Sequence, residues 1–518
     1  MKFRSPITAV AVLTAAGLAL SGCAAGGPAP APGATGGDPG AAAPTQTLTI
    51  GAVADVTDWD PAQAHVGHLL QPYQVAYDSL LLREPDGTLS PMLATEWTYD
   101  DTNTQLTLEL RTDVTFSDGE AFDAEAVVAN FEHFKAENGR QAAQLASLET
   151  ATAVDADTVE ITLSEPDPAF TYFLSQAAGL MGSPAALDGE EIGAAPVGTG
   201  PYVMDTASTV AGSQYVFTAR EDYWNPELQK FAGITFKFLV DNAARANALV
   251  SGQINAALID ARSTAQVDGA GLTQVAYPTD WAGLLLLDRD GAVVPELADV
   301  RVRQAINHAL DREALLQALQ LGYGTPTAQP FGPESGAFDA ALEDAYPYDP
   351  ERARELLAEA GYADGFTMTA PSVGAFETFF ATIGQQLSEV GITLQAVPVP
   401  DQDLVTEIAG GSFPSAFFFL FQGEAWVAIN QIVSTDALYN SFDSTTPELQ
   451  PLIDAVQAAS TEEELDAAAV EVNRYVVDQA WFAPLYRPDQ LFYTDASVTV
   501  EPQVQMAVPS IYNFTPAQ

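Results

Sequence analysis

Short stretches of alternating apolar and polar residues punctuate this chain, with runs of helical spacing between them. Leu106, Leu108 and Leu110 alternate with Thr107 and Glu109, so one face of a strand is apolar and the other wet. Residues 95–99 can pair with it across a cluster of turn formers at 100–103. Asp123 reads as an N-cap, with Val127, Val128, Phe131 and Phe134 at helical spacing behind it. Val154, Val159, Ile161 and Leu163 alternate around a turn at 155–157 and predict a second hairpin. Residues 48–53 predict an opening strand, followed by a helix through Leu69, Val75 and Leu80. Further on, a strand at 234–239, a helix at 242–251 and another strand follow one another. Residues 299–322 place Ile306, Leu310, Leu315 and Leu319 on a helix. A helix over 376–391, a strand over 393–397 and a buried strand through Phe417, Phe418 and Phe419 complete the pattern.

Several of these elements carry more specific sequence. Pro91-x-Leu93-Ala94-x-x-Trp97 precedes Leu108-x-Leu110-Arg111-x-x-Val114-x-Phe116-x-Asp118-Gly119, and the following helix reaches Asn130-Phe131. Gly198-Thr199-Gly200-Pro201-Tyr202 and Tyr223-Trp224 follow, then Asp299-x-Arg301-Val302-Arg303-Gln304-Ala305-Ile306, with Asp311-Arg312 behind it. Asp349-Pro350 opens a helix that runs to Tyr362, and Trp481 leads into Pro484-Leu485-Tyr486. Together these closely resemble the signature of family 5 extracytoplasmic solute-binding proteins, the oligopeptide, dipeptide and nickel receptors of ABC importers. The resemblance runs over nearly all of the chain after the linker. It implies an α/β, two-lobed periplasmic-binding-protein type II (cluster C) fold, with mixed sheets flanked by helices and an extra small α/β subdomain in lobe I. The implied divisions are lobe I at 46–285 (subdomain about 86–215), lobe II at 286–487, and a return to lobe I at 488–518.

The resemblance also implies a site. In the family the first loop lies at the cleft, which makes Trp59 a candidate contact, and Trp281, Phe376 and Trp426 are further candidate aromatic walls. Gln422 and Glu424 follow the buried strand, and ligands of open α/β sheets sit beyond the carboxyl ends of strands. Peptide-binding relatives hold the ligand ammonium with an Asp in this loop; the acid available here is Glu424. Tyr439 and Asn440 fit a later cleft-edge region. The implied solute is a peptide, with an oligosaccharide or a nickel or metal chelate as the alternative.

The N-terminus adds a compartment. Lys2 and Arg4 precede an apolar run at 7–20, of signal-peptide length. Leu20-Ser21-Gly22-Cys23 looks like a lipobox, so residues 1–22 form the expected signal peptide and Cys23 the lipidation point. Cys23 is the single cysteine, which excludes an intrachain disulfide. Ala/Gly/Pro-rich sequence up to residue 45 predicts a flexible tether with a reach of ~25 Å. The expected location is the outer face of the cytoplasmic membrane, lipid-anchored, with an ABC permease and ATPase complex as partner. A monomer is expected, and a non-transport surface lipoprotein is the remote alternative.

Composition narrows the functions. The 518 residues carry 69 acidic and 19 basic side chains, a formal charge of −50. Such a field repels nucleic acid and anionic headgroups. The motifs G-x-S-x-G, H-E-x-x-H, C-x-x-C and the Walker loop are absent from the sequence, so no enzyme and no cofactor are expected. His65 and His68 sit three apart, but no acid or Cys cluster completes a shell near them, and no metal site is expected.

Overall fold

The 13-residue strand Phe482–Thr494 is the axis around which the chain is built. Its aromatic and aliphatic side chains suit a pleated surface covered on both faces. The first half pairs antiparallel with Asp280–Leu286 and Gly324–Pro326, the second with Thr273–Pro278 and Ala256–Ile259. The chain therefore passes between its two lobes twice, near Thr279 and near Pro488. The computed structural model describes residues 44–189 and 191–517. The signal sequence, Cys23 and nearly all of the linker lie outside the described residues.

In lobe I, Thr47–Ala52 lies parallel between Gly233–Phe238 and Ala256–Ile259, and Gln214–Ala219 and Tyr202–Met204 extend the sheet antiparallel. A separate four-stranded antiparallel sheet runs in the order Ala94–Tyr99, Gln105–Leu110, Thr158–Leu163, Leu148–Ala153. The predicted alternation is observed there: Leu106, Leu108 and Leu110 are buried. The Ala124–Glu137 helix covers this sheet with Val127, Phe131 and Phe134, and Asp123 caps it by accepting from the Ala126 amide at 2.9 Å. Lobe II packs Leu284, Leu286, Ile306, Met368, Ile383 and Phe417 into one core under the first half of the long strand.

Four elements differ from the sequence expectation. The predicted helix through Leu69–Leu80 shrinks to Leu70–Tyr73. Beyond it the chain delivers Asp78 into the core, where its carboxylate accepts from the Tyr223 hydroxyl (2.9 Å), the Trp224 indole (2.8 Å) and the Tyr512 hydroxyl (3.0 Å). The helix expected over 299–322 is two, Val300–His308 and Arg312–Gln320, because Asp311 caps the second through the Ala314 amide at 3.0 Å. That break sets the Arg312 guanidinium among the carbonyls of Thr327, Pro484 and Tyr346 beneath the long strand. In Ser415–Phe421 only Phe417 of the three central phenylalanines is fully buried; Phe418 and Phe419 are half-buried. The segments at 481–486 and 490–493 join into one continuous strand.

Candidate functional site

Where the two lobes face each other they leave a partly open cavity of about 590 Å³. Lobe I contributes Tyr99, Asn103, Asp167, Thr171 and Tyr172; lobe II contributes Glu334, Glu424, Glu462 and Asp466; Gln505 closes one side. The lining residues include six acids and no Lys, Arg or His.

Local structure fixes the two innermost acids. Ser415–Phe421 ends at the cavity, and Gly423 carries the turn that follows. A Cβ there would meet the Phe421 ring at 2.4 Å and Gln505 at 2.5 Å, so only glycine lets the 503–507 segment approach so closely. Glu424 then caps the Ala425–Ile432 helix, accepting from the Val427 amide at 2.6 Å. Burial nonetheless pushes its carboxyl up to about 7, and the charge of Asp167 across the cavity adds to the rise. Asp167 stands between two prolines, accepts from Ser147 Oγ (2.7 Å) and the Ala169 amide (3.1 Å), and is likewise raised by burial. Arg83 lies behind Tyr172, 4.7 Å from the ring centroid, and is tied to the Tyr172 hydroxyl and to Gln505. The Tyr99 hydroxyl is buried beside Thr171 with no hydrogen bond of normal geometry.

The lobes also touch directly at the rim. Asn103 donates to the Ala459 carbonyl at 3.2 Å, Gln457 to the Pro166 carbonyl at 3.2 Å, and Gln505 to the Glu334 carbonyl at 2.9 Å.

Of the residues expected from sequence, Glu424 lines the cavity, with Gln422 and Trp426 buried beside it. The others lie elsewhere. Trp59 is 1% exposed in the lobe I core, against Tyr73, Tyr215 and Phe217. Trp281 is wholly buried against Phe482. Phe376 packs on Phe417, and Tyr439 on Phe418. Asn440 is fully buried, accepting from Arg289 at 2.7 Å and donating to the carbonyls of Ser434 and Ser444. Asp167, Tyr172, Asn103 and Gln505 were missed. Only Asp167 left a trace in the sequence, as an acid held rigid in Pro166-Asp167-Pro168. Among the described residues no group of three His, Cys, Asp or Glu side chains converges as a metal site, and no helix is long and apolar enough to cross a membrane.

Two lobes joined by two crossings, with a cavity between them, define the class of periplasmic-type solute-binding proteins. Solved structures share this fold: an ABC transporter substrate-binding protein, CtaP, of Listeria monocytogenes (TM-score 0.79, 21% identity, 92% of this chain and 100% of that one). The periplasmic binding protein DppA of Helicobacter pylori in complex with the peptide STSA gives a TM-score of 0.76 at 20% identity, over 92% and 99% of the two chains. NikA of Brucella suis in complex with Fe(III)-EDTA gives 0.79 at 22%, over 91% and 99%. The chain belongs to the family described as bacterial extracellular solute-binding proteins, family 5 Middle, which matches residues 88–440. It is 33% identical over 344 residues to the glutathione-binding protein GsiB of Escherichia coli K12, covering 64% of this chain and 66% of that protein, just under two thirds of its length.

Proposed function

We propose that this chain is the extracytoplasmic solute receptor of an ABC importer, held by a lipid on Cys23, and that it captures a short peptide between its lobes. The observation that carries the reading is the cavity of about 590 Å³ walled by both lobes, within the range of small-ligand sites. A solute that touches both lobes favours the closed form, which then docks on the permease. Two of the similar proteins support this choice of solute: GsiB is a glutathione-binding protein and DppA was solved with a peptide, whereas NikA was solved with Fe(III)-EDTA. In this reading the moving bodies are lobe I, residues 46–279 with the return at 488–517, and lobe II, residues 280–487; the first boundary falls a few residues before the expected 285/286 because strand Asp280–Leu286 pairs with lobe II strands. Glu424 is the acceptor for the peptide ammonium.

Thermal melting against libraries of short peptides and neutral oligosaccharides tests the proposal. Peptides should raise the melting temperature without product; ligand at ~100-fold above Kd adds about 2.7 kcal/mol. A response to oligosaccharides alone would replace the peptide with a sugar, and turnover by the pure protein would overturn the receptor role.

A further inference from the structure

We infer that residues 166–173 of lobe I form an apolar clasp, which closes the lobes by seating Ala169 and Phe173 in the core of lobe II. This rests on the reading of the two lobes as moving bodies. Ala169 is wholly buried, in an apolar cluster with Leu420, Trp426, Ile429 and Tyr439. Phe173 packs against the same cluster, and every other member of it belongs to lobe II. The local sequence explains why these two side chains project there. Pro166 and Pro168 fix the backbone on either side of Asp167, whose carboxylate accepts from the Ala169 amide at 3.1 Å. One helical turn follows, Phe170–Phe173. Phe170 and Leu174, four apart, are wholly buried in the lobe I core and anchor the turn in it. Ala169 and Phe173, also four apart, make the neighbouring ridge that meets lobe II. Polar contacts flank the seat. Gln457 of lobe II donates to the Pro166 carbonyl at 3.2 Å, and the Trp426 indole reaches Asp167. The seat is made by the protein's own side chains, so it needs no solute. Opening returns Ala169, one face of Phe173 and the facing lobe II surface to water, which is unfavourable in proportion to the apolar area exposed. Capture is affected in two ways. The clasp lowers the share of open protein that a solute can enter, and it slows the escape of a solute once inside.

Fluorescence transfer in the solute-free protein tests the clasp, with dyes on cysteines at the exposed Glu125 and Glu355 in a Cys23→Ser background. Ala169→Arg must bury a guanidinium in an apolar core when the lobes close, whereas in the open form the side chain reaches water. It should lower the closed-to-open ratio on the order of 10-fold or more, with little change of melting temperature. Phe173→Ala should lower the ratio about 5-fold, and Phe173→Leu, which stays apolar, should keep most of it. Ammonium sulfate strengthens apolar burial, so it should raise the closed share of wild type and raise that of Phe173→Ala less. A ratio unchanged in both Ala169→Arg and Phe173→Ala, at an unchanged melting temperature, overturns the clasp and leaves the moving lobes in place. A wild type that sits open without solute overturns it as well. An unchanged ratio with a sharply lower melting temperature in Ala169→Arg makes the two lobes one rigid body, which overturns the clasp together with the lobe motion.

Discussion

Removing the rim contacts Asn103–Ala459 and Gln457–Pro166 should open the solute-free protein. Each is a side chain to carbonyl hydrogen bond across the lobes, at 3.2 Å. Such a bond contributes about 0.5–1.5 kcal/mol net, and a partly exposed rim places both in the lower half of that range. Together they favour the closed form by about 1–2 kcal/mol, so the double variant should shift the closed-to-open ratio about 5- to 30-fold. The replacement at Asn103 has to be glycine. Its φ of 55° is left-handed, and alanine there would strain the turn and confuse the result. The double variant Asn103→Gly, Gln457→Ala is read by fluorescence transfer between dyes on cysteines placed at the exposed Glu125 and Glu355, in a Cys23→Ser background. A solute that binds only the closed form should lose affinity by up to the same factor. A closed-to-open ratio within twofold of wild type, with an unchanged melting temperature, would refute the assignment of these contacts as a latch.

Four other outcomes are expected. Burial raises the Glu424 carboxyl above its usual range to about 7, so the closed form takes up a proton; its share in the solute-free protein should be highest at low pH and fall as pH rises through about 7, and Glu424→Gln should flatten the curve measured between pH 5 and 8. Phe417→Ala in the lobe II core should cost about 3–5 kcal/mol of stability, read as a lower urea midpoint. Asn440→Ala removes the carbonyl that pairs the buried Arg289 guanidinium and should lower stability by about 1–3 kcal/mol in the same assay. Cys23→Ala should yield protein released into the medium or left as precursor, checked by fractionation and intact mass.

Local pattern carried much of the architecture. The Gln105–Leu110 strand, the Asp123 cap and the Ala124–Glu137 helix need only neighbours in sequence to specify them, and they were legible. Elements whose form depends on distant partners were not. The helix past Tyr73 gives way because Asp78 is claimed by Tyr223, Trp224 and Tyr512. The Val300–Gln320 region splits because Asp311 caps a new helix whose Arg312 must reach three carbonyls. At the site, Glu424 could be placed because it follows a buried strand. The family resemblance points to Trp59 and Trp281 as cleft aromatics, yet a tryptophan in a loop or a strand fills a core as readily as a cleft, and periodicity does not separate the two. Asp167 belongs to another lobe, 257 positions before Glu424, and only the folded chain brings the two to one cavity.

The most direct test of the inter-lobe site is a native mass spectrum of wild type and Thr171→Trp, each soaked in the same mixture of short peptides. Thr171 lies in the cavity wall, and an indole there fills the space a solute would take. Wild type should carry one added peptide mass and the variant none, at equal melting temperatures. Equal occupancy of both proteins would place the solute outside this cavity and contradict the account.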